Sequence, residues 1–290
     1  MSNVYTGQVQ GLSKIATGTP SAFCRAVTGG NLAIDMVNIV TEGLGGQLNV
    51  RKGVYVAKLN WTCVGPAKTD TQYWFPTTAG VQVANFPSFL VEADDGSNGK
   101  EFVLESGQPA TVNVTLSDAE DAELMYEFSA WFVGVTQQAA GTKVPAYNSV
   151  LGHTRNDIEV AWATVKYGTL SFSLTNDLGI SIHNPADGKS TNSKTKAEGV
   201  YFTGQRPRFE AVTSSVHQIG AAAILGDTWT PGNITITCAN GTAGENVLFT
   251  LSSWVPDGEA SMPLESGGRA GFGQAYIPGP GTIYNRVVLS

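Results

Sequence analysis

From Leu32 the chain alternates with period two: Leu32, Ile34 and Met36 interleave with Ala33, Asp35 and Val37. That is the pattern of a strand with one buried face. Glycines at 43, 45 and 46 end it, and VYVAKLNWTCV (54–64) reads as the next strand. Strand patterns recur at 109–133, 158–165, 170–174, 199–203, 208–214, 233–255 and 286–290. Helical periodicity is scarce. Ser117-Asp-Ala-Glu120 spells a capping box, but the corresponding stretch Asn240-Gly-Thr-Ala-Gly-Glu245 is a glycine turn, which predicts a hairpin at both places. Gly220–Leu225 and Ser149–Ile158 are the remaining candidate helices. The predicted class is all-β: two tandem, duplicated β-sandwich or tube-type domains with few short helices and extended terminal arms.

The duplication is read from order. PATVNVTLSDAEDAELMYEFSAW (109–131) and PGNITITCANGTAGENVLFTLSSW (231–254) each run from proline through a strand, a polar turn and a second strand to tryptophan. Upstream, Gly30–Asn38 echoes Gly168–Asn176, and Gly53-Val-Tyr55 echoes Gly199-Val-Tyr201. Trp131, Trp254, Tyr55 and Tyr201 are therefore expected as repeated core anchors. The boundaries that follow are an N-terminal arm 1–20, a first domain 21–133, a linker 134–147, a second domain 148–266, and a Gly/Pro-rich arm with a last strand, 267–290. The spacers differ: Gly53 to Pro109 is 56 residues and Gly199 to Pro231 is 32, so the copies differ outside their core strands.

Composition narrows the role. Charged residues are 14% of the chain, with a net charge of −7, below the roughly 25% of ordinary globular chains. The acidic balance opposes a surface that grips nucleic acid, which needs concentrated Lys and Arg. Cys24, Cys63 and Cys238 are far apart and form no CxxC pair, so they read as buried thiols. His153, His183 and His217 have no partner at metal-ligand spacing. Gly188-Lys189-Ser190 lacks the upstream glycine of a phosphate-binding loop. No signal-peptide pattern opens the chain, and no run approaches the ~18 apolar residues of a membrane helix. The expectation is no enzyme, no cofactor and no metal.

Asp118, Glu120, Asp121 and Glu123 form the densest acidic cluster. A Ca²⁺ site or paired carboxylates are weighed against a solvated turn, and the turn is favoured because the second copy is mostly neutral there. The polar stretch 183–199 carries Lys189, Lys194 and Lys196 and reads as a loose tip or a long hairpin gripping a partner. Tyr73-Trp74-Phe75 reads as an interface or a ligand face.

On these repeated units (LAIDM at 32–36 and LSFSL at 170–174, GVY twice, hairpin–Trp twice), the chain resembles the major tail tube proteins of long-tailed bacteriophages. The resemblance implies a structural virion protein, made in the host cytoplasm and placed in the tail. Its partners would be itself, in a ring (trimeric with pseudo-six-fold symmetry) stacked into a tube, and other tail proteins. DNA would pass without specific binding, and no membrane is involved. On that footing the acidic turn is a candidate for the lumen, and the 183–199 loop, with its three lysines, for the contact between rings. The alternatives are another virion β protein (decoration, baseplate or tail-terminator) or a carbohydrate-binding adhesin using Tyr73, Trp74 and Phe75.

Overall fold

A computed structural model describes residues 9–15, 20–43, 46–78, 81, 83–93, 100–139, 148–162, 165–183, 199–214, 231–261, 271–279 and 287–290. The fold is all-β. The strands are β1 Val9–Ile15, β2 Pro20–Ala22, β3 Cys24–Gly43, β4 Gly46–Pro66, β5 Ser88–Ala93, β6 Lys100–Leu116, β7 Met125–Ala139, β8 Ile158–Trp162 and β9 Val165–Tyr167. They continue as β10 Thr169–Asp177, β11 Ile180–His183, β12 Gly199–Phe202, β13 Arg206–Thr213, β14 Gly232–Cys238, β15 Val247–Ser261, β16 Phe272–Pro278 and β17 Val287–Leu289. Among the described residues helix is confined to α1 (Lys68–Thr71), a 3-10 turn at Gln72–Trp74 and another at Arg155–Asp157.

Among the described residues fifteen strands join one antiparallel sheet, and β11–β12 form a separate two-stranded one. The pairings trace two circuits. In the first half the order is β2-β1-β5-β6-β7-β4-β3, and only Phe23 separates β2 from β3. In the second it is β9-β8-β14-β15-β16-β13-β10, and only Gly168 separates β9 from β10. The orders coincide except that β5 is added to the first and β16 to the second. The circuits are joined where β6 pairs with β10, Thr111–Leu116 against Phe172–Asp177.

Alternation along each strand divides core from outer face. On β4 Leu59, Trp61 and Cys63 are buried while Asn60 is exposed; on β7 Tyr126, Phe128 and Ala130 are buried while Glu127 is exposed. An aromatic cluster of Phe23, Trp61, Trp74, Phe89 and Phe128 fills the first half, with ring centroids 4.6–5.9 Å apart. Each such side chain contributes about 1.5–3 kcal/mol through burial. The core does not stop at the junction. Phe75 packs edge-on against Phe249 at 5.5 Å, and Asn176 Nδ2 donates to the Trp74 carbonyl at 2.7 Å.

Several boundaries move. The 1–20 arm contains β1, which pairs with β2 and β5 and buries Leu12. The 134–147 linker begins inside β7, whose residues up to Ala139 pair with β6. The C-terminal stretch supplies β16, a central strand between β13 and β15, and β17, which pairs with β15. Gly, Gln and Pro around Tyr276 hide β16 in the sequence, although Tyr276 is fully buried. Within Ser149–Ile158 only the 3-10 turn forms, held by a Thr154–Asp157 capping box. Gly220–Leu225 lies outside the described residues.

Candidate assembly surface

The acidic turn closes the β6–β7 hairpin at one end of the sheet, and it is braced by arginines. Arg155 Nε donates to the Ala119 carbonyl at 3.0 Å, and its Nη2 reaches the Leu170 carbonyl at 2.6 Å and the Ser117 carbonyl. The same Nη2 lies 3.5 Å from Asp118, and Arg25 meets Glu123 at 2.6 Å. Asp118, Glu120 and Asp121 are exposed and Glu123 is half-buried. Asp118 and Glu123 thus tie the cluster into a bracket between β3, the turn and the 148–157 segment.

That segment threads between the two hairpin turns. Leu124 N–H donates to the His153 carbonyl and Arg155 N–H to the Ala122 carbonyl. On the other side, Leu151 N–H donates to Glu245 and Ala239 N–H to the Asp157 carbonyl. His153 is buried here with Nε2 unpartnered. Burial pushes its imidazole below the ordinary 6.5, while Asp157 and Glu245 pull the other way.

The outer face of the sheet runs unbroken across the junction and is mainly neutral and polar. Asn113 on β6 accepts from Ser173 Oγ at 2.8 Å and Thr175 Oγ1 at 3.4 Å on β10, and donates to Glu127 on β7 at 3.3 Å. A shallow trough of about 500 Å³ lies over this ladder, bordered by Asn31, Asn60 and Thr62. Farther along, Arg208 bridges Glu210 and Asp257, one cation between two carboxylates.

Of the four expected core anchors, Trp254 is one: it is fully buried. Trp131 is not. It stands half-exposed on the outer face, under Lys58 at 4.5 Å, beside Val56, Val133 and Val200. The cause is a bulge in β15, where the three steps from Leu251 to Trp254 match two steps on β14, from Ile234 to Gly232, and Ser253 takes φ 57°. One extra residue sends every later side chain to the other face. Tyr201 is 41% exposed, because β12 leaves the main sheet and pairs with β11. Its match to Tyr55 fails in register as well: Met36 faces Tyr55, whereas Leu174 faces Phe209 on β13. The Tyr55 side chain lies outside the described residues.

Lys189, Lys194 and Lys196 also lie outside the described residues; the base of their loop is a strand pair, His183 against Gly199. Trp74 and Phe75 are buried and offer no stacking face, while Tyr73 is half-buried against Phe86. All three cysteines are buried free thiols. Burial pushes Cys63 well up and Cys238 to about 12, which makes both poor nucleophiles at neutral pH. Among the described residues no group of three His, Cys, Asp or Glu is placed to hold a metal ion, and no helix is long and apolar enough to cross a membrane.

What remains distinctive is edges. Among the described residues β3 pairs on one side only, with β4, and its residues 38–43 pair with the part of β4 that reaches no third strand. A long open edge is a template for another chain. Compared with family models and with curated proteins, the chain matches none.

Proposed function

We propose that the chain is a structural subunit that polymerises through its sheet, and specifically the tail tube subunit of a long-tailed bacteriophage. On this reading the two circuits are copies of one unit, and the chain is a fused pair. One observation carries the proposal: the sheet crosses from one circuit to the next by plain strand pairing, β6 to β10. A unit that continues its sheet into a following copy within a chain has the geometry to do so between chains. The open β3 edge and the mainly neutral outer face support it, since a tube wall needs repeated weak contacts and a face that phosphates do not bind. The lumen is assigned to this outer face, in place of the acidic turn. Negative-stain electron microscopy of the purified protein over a range of salt and concentration tests the reading. Hollow tubes of stacked rings are expected; monomers or closed small oligomers at every concentration overturn it.

A further inference from the structure

We propose that β14 of one chain pairs with the open edge of β3 of a second copy, and that β8 is a strap covering the β14 edge until that copy arrives. This inference rests on the assembly reading and names the strands that would meet. It starts from an asymmetry between the circuits. β6 is long enough to carry two neighbours in succession along one edge: β5 on Lys100–Leu104 and β10 on Thr111–Leu116. β14 occupies the corresponding place in the second circuit but has seven residues, and β8 takes Ile234–Cys238 of its edge. The place that β10 holds on β6 is therefore held on β14 by a strand of the same circuit. At the other end of the molecule β3, the counterpart of β10, pairs with no strand among the described residues on the edge where β10 meets β6.

Transferring the β6–β10 register onto the counterparts sets Ile34 opposite Cys238, Asp35 opposite Thr237, Met36 opposite Ile236 and Val37 opposite Thr235. The faces agree. Ile236 and Cys238 point into the core, so an apolar partner is required at 34 and 36, and both positions are apolar; the next core position, Ile234, meets Asn38, as Val112 meets Asn176 within the chain. Exposure agrees too. Ile34 is 39% exposed, an unusual state for isoleucine on a core-facing position, while its counterpart Phe172, with β6 alongside, is 4% exposed. The exchange gives up the five β8–β14 residue pairs and the burial of Val160 and forms six pairs with similar hydrogen bonding, so contacts made by the arriving copy have to replace the core that β8 covers.

Two cysteine pairs in the full-length protein test the proposal. Asp35→Cys with Thr237→Cys, treated with copper phenanthroline in air, should give a ladder of covalent multimers on a non-reducing denaturing gel. Neither single substitution should give more than a dimer. Glu159→Cys with Thr237→Cys bridges β8 to β14, which are register partners; its oxidised form should stay monomeric and its reduced form should assemble. Tubes without the ladder, or a bridged form that assembles like the reduced one, overturn the strap and leave the tube reading standing. A ladder without stacked tubes keeps the strand pairing and overturns the tail tube reading. Monomers with no ladder at any concentration overturn both.

Discussion

Trp131 and Trp254 end matching hairpins yet face opposite ways, and their energetics should differ accordingly. Trp254 is fully buried, so Trp254→Ala should cost about 3–5 kcal/mol in urea unfolding. Trp131 keeps solvent on one side and a lysine over its ring, so Trp131→Ala should cost about 1 kcal/mol, the order of an exposed cation–π contact. Equal losses would contradict the opposed orientations. His153 makes a second prediction, in pH. Its folded pKa lies below the ordinary 6.5, so on acidification the unfolded chain takes up the proton first. Its contribution is present above 6.5 and is lost as pH falls through the window beneath that value. Asp70 has the opposite sign: burial raises its carboxyl above 3.8 despite Lys14, so its charged form weakens the fold as pH rises through the window above 3.8. The urea midpoint should therefore drop between pH 7 and the range below 6.5. His153→Gln should flatten that drop; an unchanged drop would assign it to another group.

The strands were readable because alternation survives wherever one face is buried: 32–36, 54–64, 109–116, 170–174 and 233–238 all lie in strands. Three things escaped, each for a local reason. β16 is interrupted by Gly and Gln, so its period is weak although Tyr276 anchors it. α1 is a single turn packed through Asp70 and Thr71, too short to show a period. The bulge at Ser253 depends on a backbone angle, which the Ser-x-Trp ending shared with the first hairpin does not reveal. The site was less readable still, since an open edge is a property of what does not pair with β3. The bulge can be tested directly. Ser253→Gly removes the cost of a positive φ and should leave stability unchanged or raise it by up to about 1 kcal/mol. Deleting Ser253 should restore the parity of β7 and turn Trp254 outward. Its fluorescence would then shift to the red; an unshifted spectrum would mean that the bulge does not set the orientation.

Two circuits of nearly equal plan could in principle fold as separate bodies, but the contacts between them argue against it. Six residue pairs join β6 to β10, and the Phe75–Phe249 contact and the buried Asn176–Trp74 hydrogen bond add core to the ladder. Asn113 fastens the same junction from the outer face through Ser173 and Thr175. Breaking the junction would expose all of these at once, so neither half keeps a closed core without the other. Calorimetry of the unassembled chain should therefore give one transition, with calorimetric and van't Hoff enthalpies in agreement. Phe75→Ala should lower stability by about 3–5 kcal/mol and shift the hydrogen-exchange protection of β6 and β14 together. Asn113→Ala should cost about 1–2 kcal/mol, from hydrogen bonds lost on both sides of the junction. If Phe75→Ala instead splits the melt in two, the halves are independent domains. A tube built from them would then be held by the same strand pairing within a chain as between chains, with the shared core adding nothing.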